Sequence, residues 1–261
     1  MKLKILKINK KIQERLNISI DDYKECSELY SSIEIKIKPA ENKYGEFINI
    51  PDKDKEYYHI YFDNSNEEIK RNYLEENEKV KKIKIKIDYQ VTSFKELFCL
   101  PAYGNIAKKI KFKKFYRNNI TDMCFMFSTC LYLEKINFKK INTSNVTNMS
   151  GMFSECYELK KIKGLSKFNT NKVTDMSYMF YRCTSLKKIN VSNFDTSNVT
   201  DMSNMFGWTK KLKKIDLSNF NTNKVTDMSC MFQDSNYFPP KDIKQNQLKG
   251  AENCNFEFFA W

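Results

Sequence analysis

Five octapeptides of one kind punctuate the second half of the chain. They are Ile120–Phe127 (ITDMCFMF), Val146–Phe153 (VTNMSGMF), Val173–Phe180 (VTDMSYMF), Val199–Phe206 (VTDMSNMF) and Val225–Phe232 (VTDMSCMF). Their starts are separated by 26, 27, 26 and 26 residues. A repeat this short cannot shield its own apolar face, so its core exists only where neighbouring copies stack.

A second phrase follows each of the first four octapeptides: Leu133-Glu-Lys-Ile136, Leu159-Lys-Lys-Ile162, Leu186-Lys-Lys-Ile189 and Leu212-Lys-Lys-Ile215. In its fullest form it runs on through Leu217 to Phe220, and the alternation of Ile215 with Leu217 marks a short strand with one buried face. The octapeptide has a different spacing. Met202, Met205 and Phe206 stand at i, i+3 and i+4, which predicts a short helix or 3₁₀ turn with Thr200 placed to cap it. Looser copies extend the array toward the N-terminus through Val91–Phe98, Ala107–Phe115 and Val80–Ile85. Six strand phrases between residues 80 and 232 are therefore expected to run parallel and in register.

The phrases V-T-[DN]-M-x-x-M-F and L-K-K-I-x-[LV]-S-N-F-[ND]-T-[SN] resemble those of the BspA-like leucine-rich-repeat surface proteins of mycoplasmas, other bacteria and some protists. The resemblance covers about residues 91–235. It implies an α/β repeat fold, a leucine-rich-repeat-like solenoid with one parallel sheet, used in adhesion or protein recognition at a cell surface. Residues 1–79 lack the repeat. Alternation at Lys2–Ile8, Ile33–Ile37 and Tyr57–Phe62 predicts strands, and Ser65-Asn-Glu-Glu68 and Ser19-Ile-Asp-Asp22 predict helix starts. The expected organisation is a small α+β N-terminal cap (1–79), the solenoid (80–235) and a C-terminal aromatic tail (236–261) that covers the last repeat.

Most of the repeat reads as core. The Met and Phe columns are apolar, and burial of each large side chain contributes about 1.5–3 kcal/mol. Cys130, Cys156 and Cys183 share one column that Thr209 and Ser235 continue, so parallel thiols without metal or disulfide chemistry are expected there. Of the eight cysteines, Cys26, Cys99, Cys124, Cys230 and Cys254 show no C-x-x-C spacing. No cofactor is expected. The chain has 6 glycines and no glycine-rich phosphate loop, and its single histidine, His59, leaves no multi-histidine metal centre.

The outward positions carry the functional signal. If Ile215 and Leu217 point inward, Lys214 and Asp216 point outward. The Lys214 position is lysine in every copy: Lys82, Lys109, Lys135, Lys161, Lys188 and Lys214. Two residues on stand Lys84, Lys111, Asn137, Lys163, Asn190 and Asp216. With strands about 4.8 Å apart and a Debye length of about 8 Å, these charges act together. In a chain of formal charge +13, the column predicts a recognition or adhesion module for a protein or other anionic partner. Binding is placed on Lys82, Lys84, Lys109, Lys111, Lys135, Lys161, Lys163, Lys188 and Lys214. Nucleic acid is the weaker candidate, because these phrases put no aromatic residue outward to stack on bases. A monomer is expected, without a signal peptide or membrane span. The competing expectation is a thiol enzyme in the N-terminal unit, with Cys26 as nucleophile and His59 as base.

Overall fold

The computed structural model describes residues 31–100, 105–138 and 141–236. Among them are eight strands: β1 (Ile33–Pro39), β2 (Gly45–Glu46), β3 (Tyr58–Phe62), β4 (Tyr73–Leu74), β5 (Ile83–Ile87), β6 (Ala107–Lys114), β7 (Lys135–Phe138) and β8 (Lys161–Lys163). Six form one mixed sheet in the order β3-β5-β1-β6-β7-β8, and β2 pairs with β4 alone. The sequences Ile-Glu-Ile-Lys-Ile in β1 and Ile-Lys-Ile-Lys-Ile in β5 explain their pairing. In the antiparallel register Ile35 meets Ile85 and Lys36 meets Lys84, so both strands bury isoleucine on one face and present charge on the other.

This architecture overturns the expected α/β solenoid with an α+β cap. The sheet is mixed: β1 lies antiparallel between β5 and β6, and only β6, β7 and β8 run parallel. Two strands of the N-terminal region, β1 and β3, are thus part of the main sheet. The phrases at 186–191 and 212–217 form no strands and share a single parallel bridge, Lys188 to Lys214. Their side chains supply the reason. Asn190 accepts hydrogen bonds from the Ser192 amide and hydroxyl, and Asp216 does the same for Ser218. Such local side-chain bonds draw the backbone out of an extended ladder.

The helices predicted within the described residues are also absent. Helical structure among the described residues is limited to two short 3₁₀ segments, Asp52–Tyr57 and Leu165–Lys167. The octapeptides are instead chains of tight turns in which every copy places one residue in the left-handed region: Glu96, Phe125, Gly151, Tyr178, Asn204 and Cys230. A helix cannot pass through such a residue, yet the turns still bury the methionines and phenylalanine. The amide left free within each turn bonds to the next copy: Met149, Gly151, Phe153 and Glu155 donate to the carbonyls of Asp175, Ser177, Met179 and Tyr181. Aspartate rather than threonine caps these turns, Asp201 accepting from the Ser203 amide at 2.8 Å. The region after Ser65 likewise makes a serine turn to the Glu67 amide and then β4, without a helix. The Lys2–Ile8 strand, the Ser19 helix and the aromatic tail beyond residue 236 lie outside the described residues.

The core lies between the inner sheet face and the turns. Phe98, Phe127, Phe153, Phe180, Phe206 and Phe232 stack ring on ring, with successive centroids 5.2, 5.4, 5.4, 5.6 and 5.7 Å apart and planes within 10°. Phe112 of β6 and Phe138 of β7 meet this column edge-on. Arg117 occupies the place that Thr143, Thr170 and Thr196 hold in later copies. Those threonines bond forward to Asn169, Asp195 and Asn221, whereas Arg117 reaches back to the Asp88 carbonyl. Burial lowers its pKa to about 10.

Two glycines with positive φ separate backbone strain from collision. At Gly164 (φ +84°) an added Cβ would meet the Phe138 carbonyl oxygen at 2.1 Å, while at Gly151 (φ +57°) it would meet the partly exposed Phe125 ring at 2.2 Å. Gly151→Ala is expected to cost about 1–2 kcal/mol, the left-handed penalty alone, because the ring can swing outward. Gly164→Ala carries that penalty and must also displace backbone, so denaturant unfolding should show at least about twice the loss. Equal losses would contradict the close approach of residue 164 to β7.

Candidate anion-binding face

The sheet face opposite the core is where lysine collects. Alternation sends Glu34, Lys36 and Lys38 of β1, Lys84 and Lys86 of β5, and Lys109, Lys111 and Lys113 of β6 away from the buried isoleucines and Phe112. Strand pairing then sets these side chains in two files that cross the strands. In one, Lys38 is opposite Lys109, Lys109 opposite Lys135, and Lys135 opposite Lys161. In the other, Lys84 is opposite Lys36, Lys36 opposite Lys111, Lys111 opposite Asn137, and Asn137 opposite Lys163.

The lysines named from sequence fall as follows. Lys84, Lys109 and Lys111 are half-buried on β5 and β6, while Lys135, Lys161 and Lys163 are exposed on β7 and β8. Lys188 and Lys214 are exposed and bridged to each other beyond the sheet. Lys82 precedes β5, and its amine donates to Asn64 at 2.7 Å. Lys36, Lys38, Lys86 and Lys113 were not reached by sequence reasoning. The Ile-Lys alternation that marks β1 as a strand is visible, but nothing in it says that β1 inserts beside β6.

Crowding of like charge is visible at Lys113, where the neighbouring Lys111, and more distantly Lys36, hold the ammonium below the usual lysine range. Glu34 offsets part of the field through Lys36 at 3.4 Å. Toward the last repeat the field weakens, because hydrogen bonds from Ser218 hold the Asp216 carboxyl below its usual range, ionised two residues from Lys214. An aromatic ring does join the face at its β3 edge: Tyr61 is opposite Lys84, whose ammonium sits 4.1 Å from the ring centroid.

His59, also on β3, is opposite Lys86 and sits between two carboxylates, with Nδ1 3.2 Å from Glu68 and Nε2 3.2 Å from Asp88. Lys70 in turn pairs with Glu68 at 2.5 Å. Burial alone would lower the His59 pKa, but the hydrogen bonds and charges of Asp88 and Glu68 outweigh it and raise the value. Stability from these contacts is therefore fully present below the ordinary histidine pKa and is lost as pH rises through the raised one. Unfolding free energies across that window should fall for the wild type and stay flatter for His59→Gln. Parallel curves would contradict the ion-pair geometry. Cys26 lies outside the described residues.

The cysteine column is buried in the turn stack. The thiols of Cys130, Cys156 and Cys183 donate to the carbonyls of Phe98, Phe127 and Phe153 at 3.3, 3.0 and 3.1 Å. Burial pushes the pKa values of Cys130 and Cys183 well up. A thiol so held is a poor nucleophile. Among the described residues no helix is long and apolar enough to cross a membrane.

A family model described as "Mycoplasma protein of unknown function, DUF285" matches residues 73–163, 92–189 and 157–260 in overlapping stretches. No curated protein and no solved structure matches the chain.

Proposed function

The chain belongs to the DUF285 family of Mycoplasma proteins, whose model spans residues 73–260 of its 261, and we propose that it is a recognition module that binds an anionic macromolecule through the basic face of its sheet. The observation that carries this reading is the registration of the lysines. Strands distant in sequence contribute to the same two files, β1 with β6, β7 and β8 to both and β5 through Lys84 to the second. A solubilising surface needs charge but no such alignment. Like charges held within a Debye length repel, and an anionic ligand converts that repulsion into attraction. The resemblance to surface adhesion proteins supports a role in attachment, with the lysine face as the contact.

Recognition is favoured over catalysis by the state of the reactive groups. Both nitrogens of His59 face carboxylates, and the column thiols face carbonyls. The test is retention of the full chain on immobilised heparin under a rising salt gradient. Retention should persist above physiological ionic strength, about 0.15 M, and should collapse when lysines of β6 and β7 are reversed in charge. Elution unaffected by those reversals would place binding elsewhere and sink the proposal.

A further inference from the structure

The spacing and chemistry of the lysine files point to one class of ligand, and this step rests on the basic-face reading above. We infer that the ligand is an anionic polysaccharide, a linear chain bearing a carboxylate or sulfate on each sugar, lying across the strands along the files. The unbroken file from Lys38 through Lys109 and Lys135 to Lys161 places one ammonium on each successive strand. Neighbouring strands lie about 4.8 Å apart. Lys188 and Lys214 repeat the pairing further along the array. A 1,4-linked sugar ring advances its chain by about the distance between neighbouring strands and turns its acid group to alternate edges of the ribbon, so a chain laid between the two files meets Lys38, Lys111, Lys135 and Lys163 in turn, one per strand.

Other polyanions fit less well. An extended acidic peptide repeats its side chains on one face every second residue, about 6.6 Å, and drifts a full strand out of register within three or four steps. Single-stranded nucleic acid gains much of its affinity by stacking bases on aromatic rings. The ring beside the files, Tyr61, stands at the edge strand with Lys84 over it. Every cation in the two files is a lysine, a point charge on a flexible stem. The described arginines lie off this face: Arg71 pairs with Glu78, Arg117 is buried, and Arg182 pairs with Glu155 on the turn side. Asn137, between Lys111 and Lys163, places a neutral donor and acceptor where a sugar hydroxyl would pass.

The experiment is calorimetric titration of the full chain, at fixed ionic strength, with 1,4-linked oligomannuronates of roughly two, four, six and eight sugars. Oligoglutamate and oligothymidylate of matched charge serve as competitors for the assignment. Affinity for the uronates should climb by at least about tenfold from the shortest chain to the six-sugar chain, then flatten as the file is filled. It should exceed that of either other polymer by about tenfold, and Lys109→Glu with Lys135→Glu should abolish it. If oligoglutamate or oligothymidylate binds as tightly through the same lysines, the polysaccharide assignment is overturned and the basic-face reading stands. If no polyanion shows lysine-dependent binding, both fall.

Discussion

Phe180→Ala is expected to destabilise the protein by about 3–5 kcal/mol, the usual cost of emptying a large aromatic site in a packed core. Phe180 is fully buried and lies between Phe153 at 5.4 Å and Phe206 at 5.6 Å. Its loss therefore removes two stacking contacts as well as buried area, and the tight turns on either side have little freedom to close the gap. Because each copy contacts only its neighbours, the damage should be felt along the array rather than at one rung. Lys213→Ala, an exposed side chain one copy away, should change stability by less than about 0.5 kcal/mol. Denaturant unfolding of the two variants makes the comparison. Similar small losses would mean that the phenylalanine column is not the spine of the fold.

The second large effect concerns binding. Reversing both Lys109 and Lys135 to glutamate should weaken polyanion binding by about 100-fold or more, roughly 2.7 kcal/mol. These residues are directly opposite each other in the middle of the unbroken file, with Lys38 and Lys161 on either side. The change replaces attraction with repulsion at its centre. Lys214→Glu should cost less than about tenfold, because Asp216 already cancels much of the charge there. Thermal stability should hold or rise in the double variant, since the substitutions relieve lysine–lysine repulsion and create pairs with Lys38 and Lys161. Equal losses of affinity at the two ends would show that binding follows net charge alone.

Local pattern was enough to find some of this structure. Alternation at Ile33–Ile37 and Tyr57–Phe62 coincides with β1 and β3, because period two leaves little other way to bury isoleucine on one side. The inward column of Phe127, Phe153, Phe180 and Phe206 was legible for the same reason. Spacing i, i+3, i+4 was misleading. A helical turn and a chain of tight turns both bring Met202, Met205 and Phe206 to one side. The residues that decide between them, such as Glu96, Phe125 and Tyr178, are types with no special liking for the left-handed region. Ladder hydrogen bonds to the next copy hold them there, and those are invisible until copies are stacked.

Strand order was beyond reach for a different reason. β1, β5 and β6 share an alternating Ile/Lys sequence, so many pairings would bury the same residues. The insertion of β1 between β5 and β6 depends on the path of the intervening chain. That insertion adds Lys36 and Lys38 to the face and joins the lysines on its two sides, turning a column confined to the repeats into a surface shared by most of the sheet.

The most direct test of the basic face is lysine footprinting: acetylation rates at each lysine of the full chain, measured with and without saturating polyanion. Protection is predicted at Lys36, Lys38, Lys84, Lys109, Lys111, Lys135, Lys161 and Lys163 together. Lys172 and Lys224, whose amines point to Asn145 and Asn198 outside the files, should react at unchanged rates. Protection spread evenly over all lysines, or confined to residues outside the two files, would contradict the account.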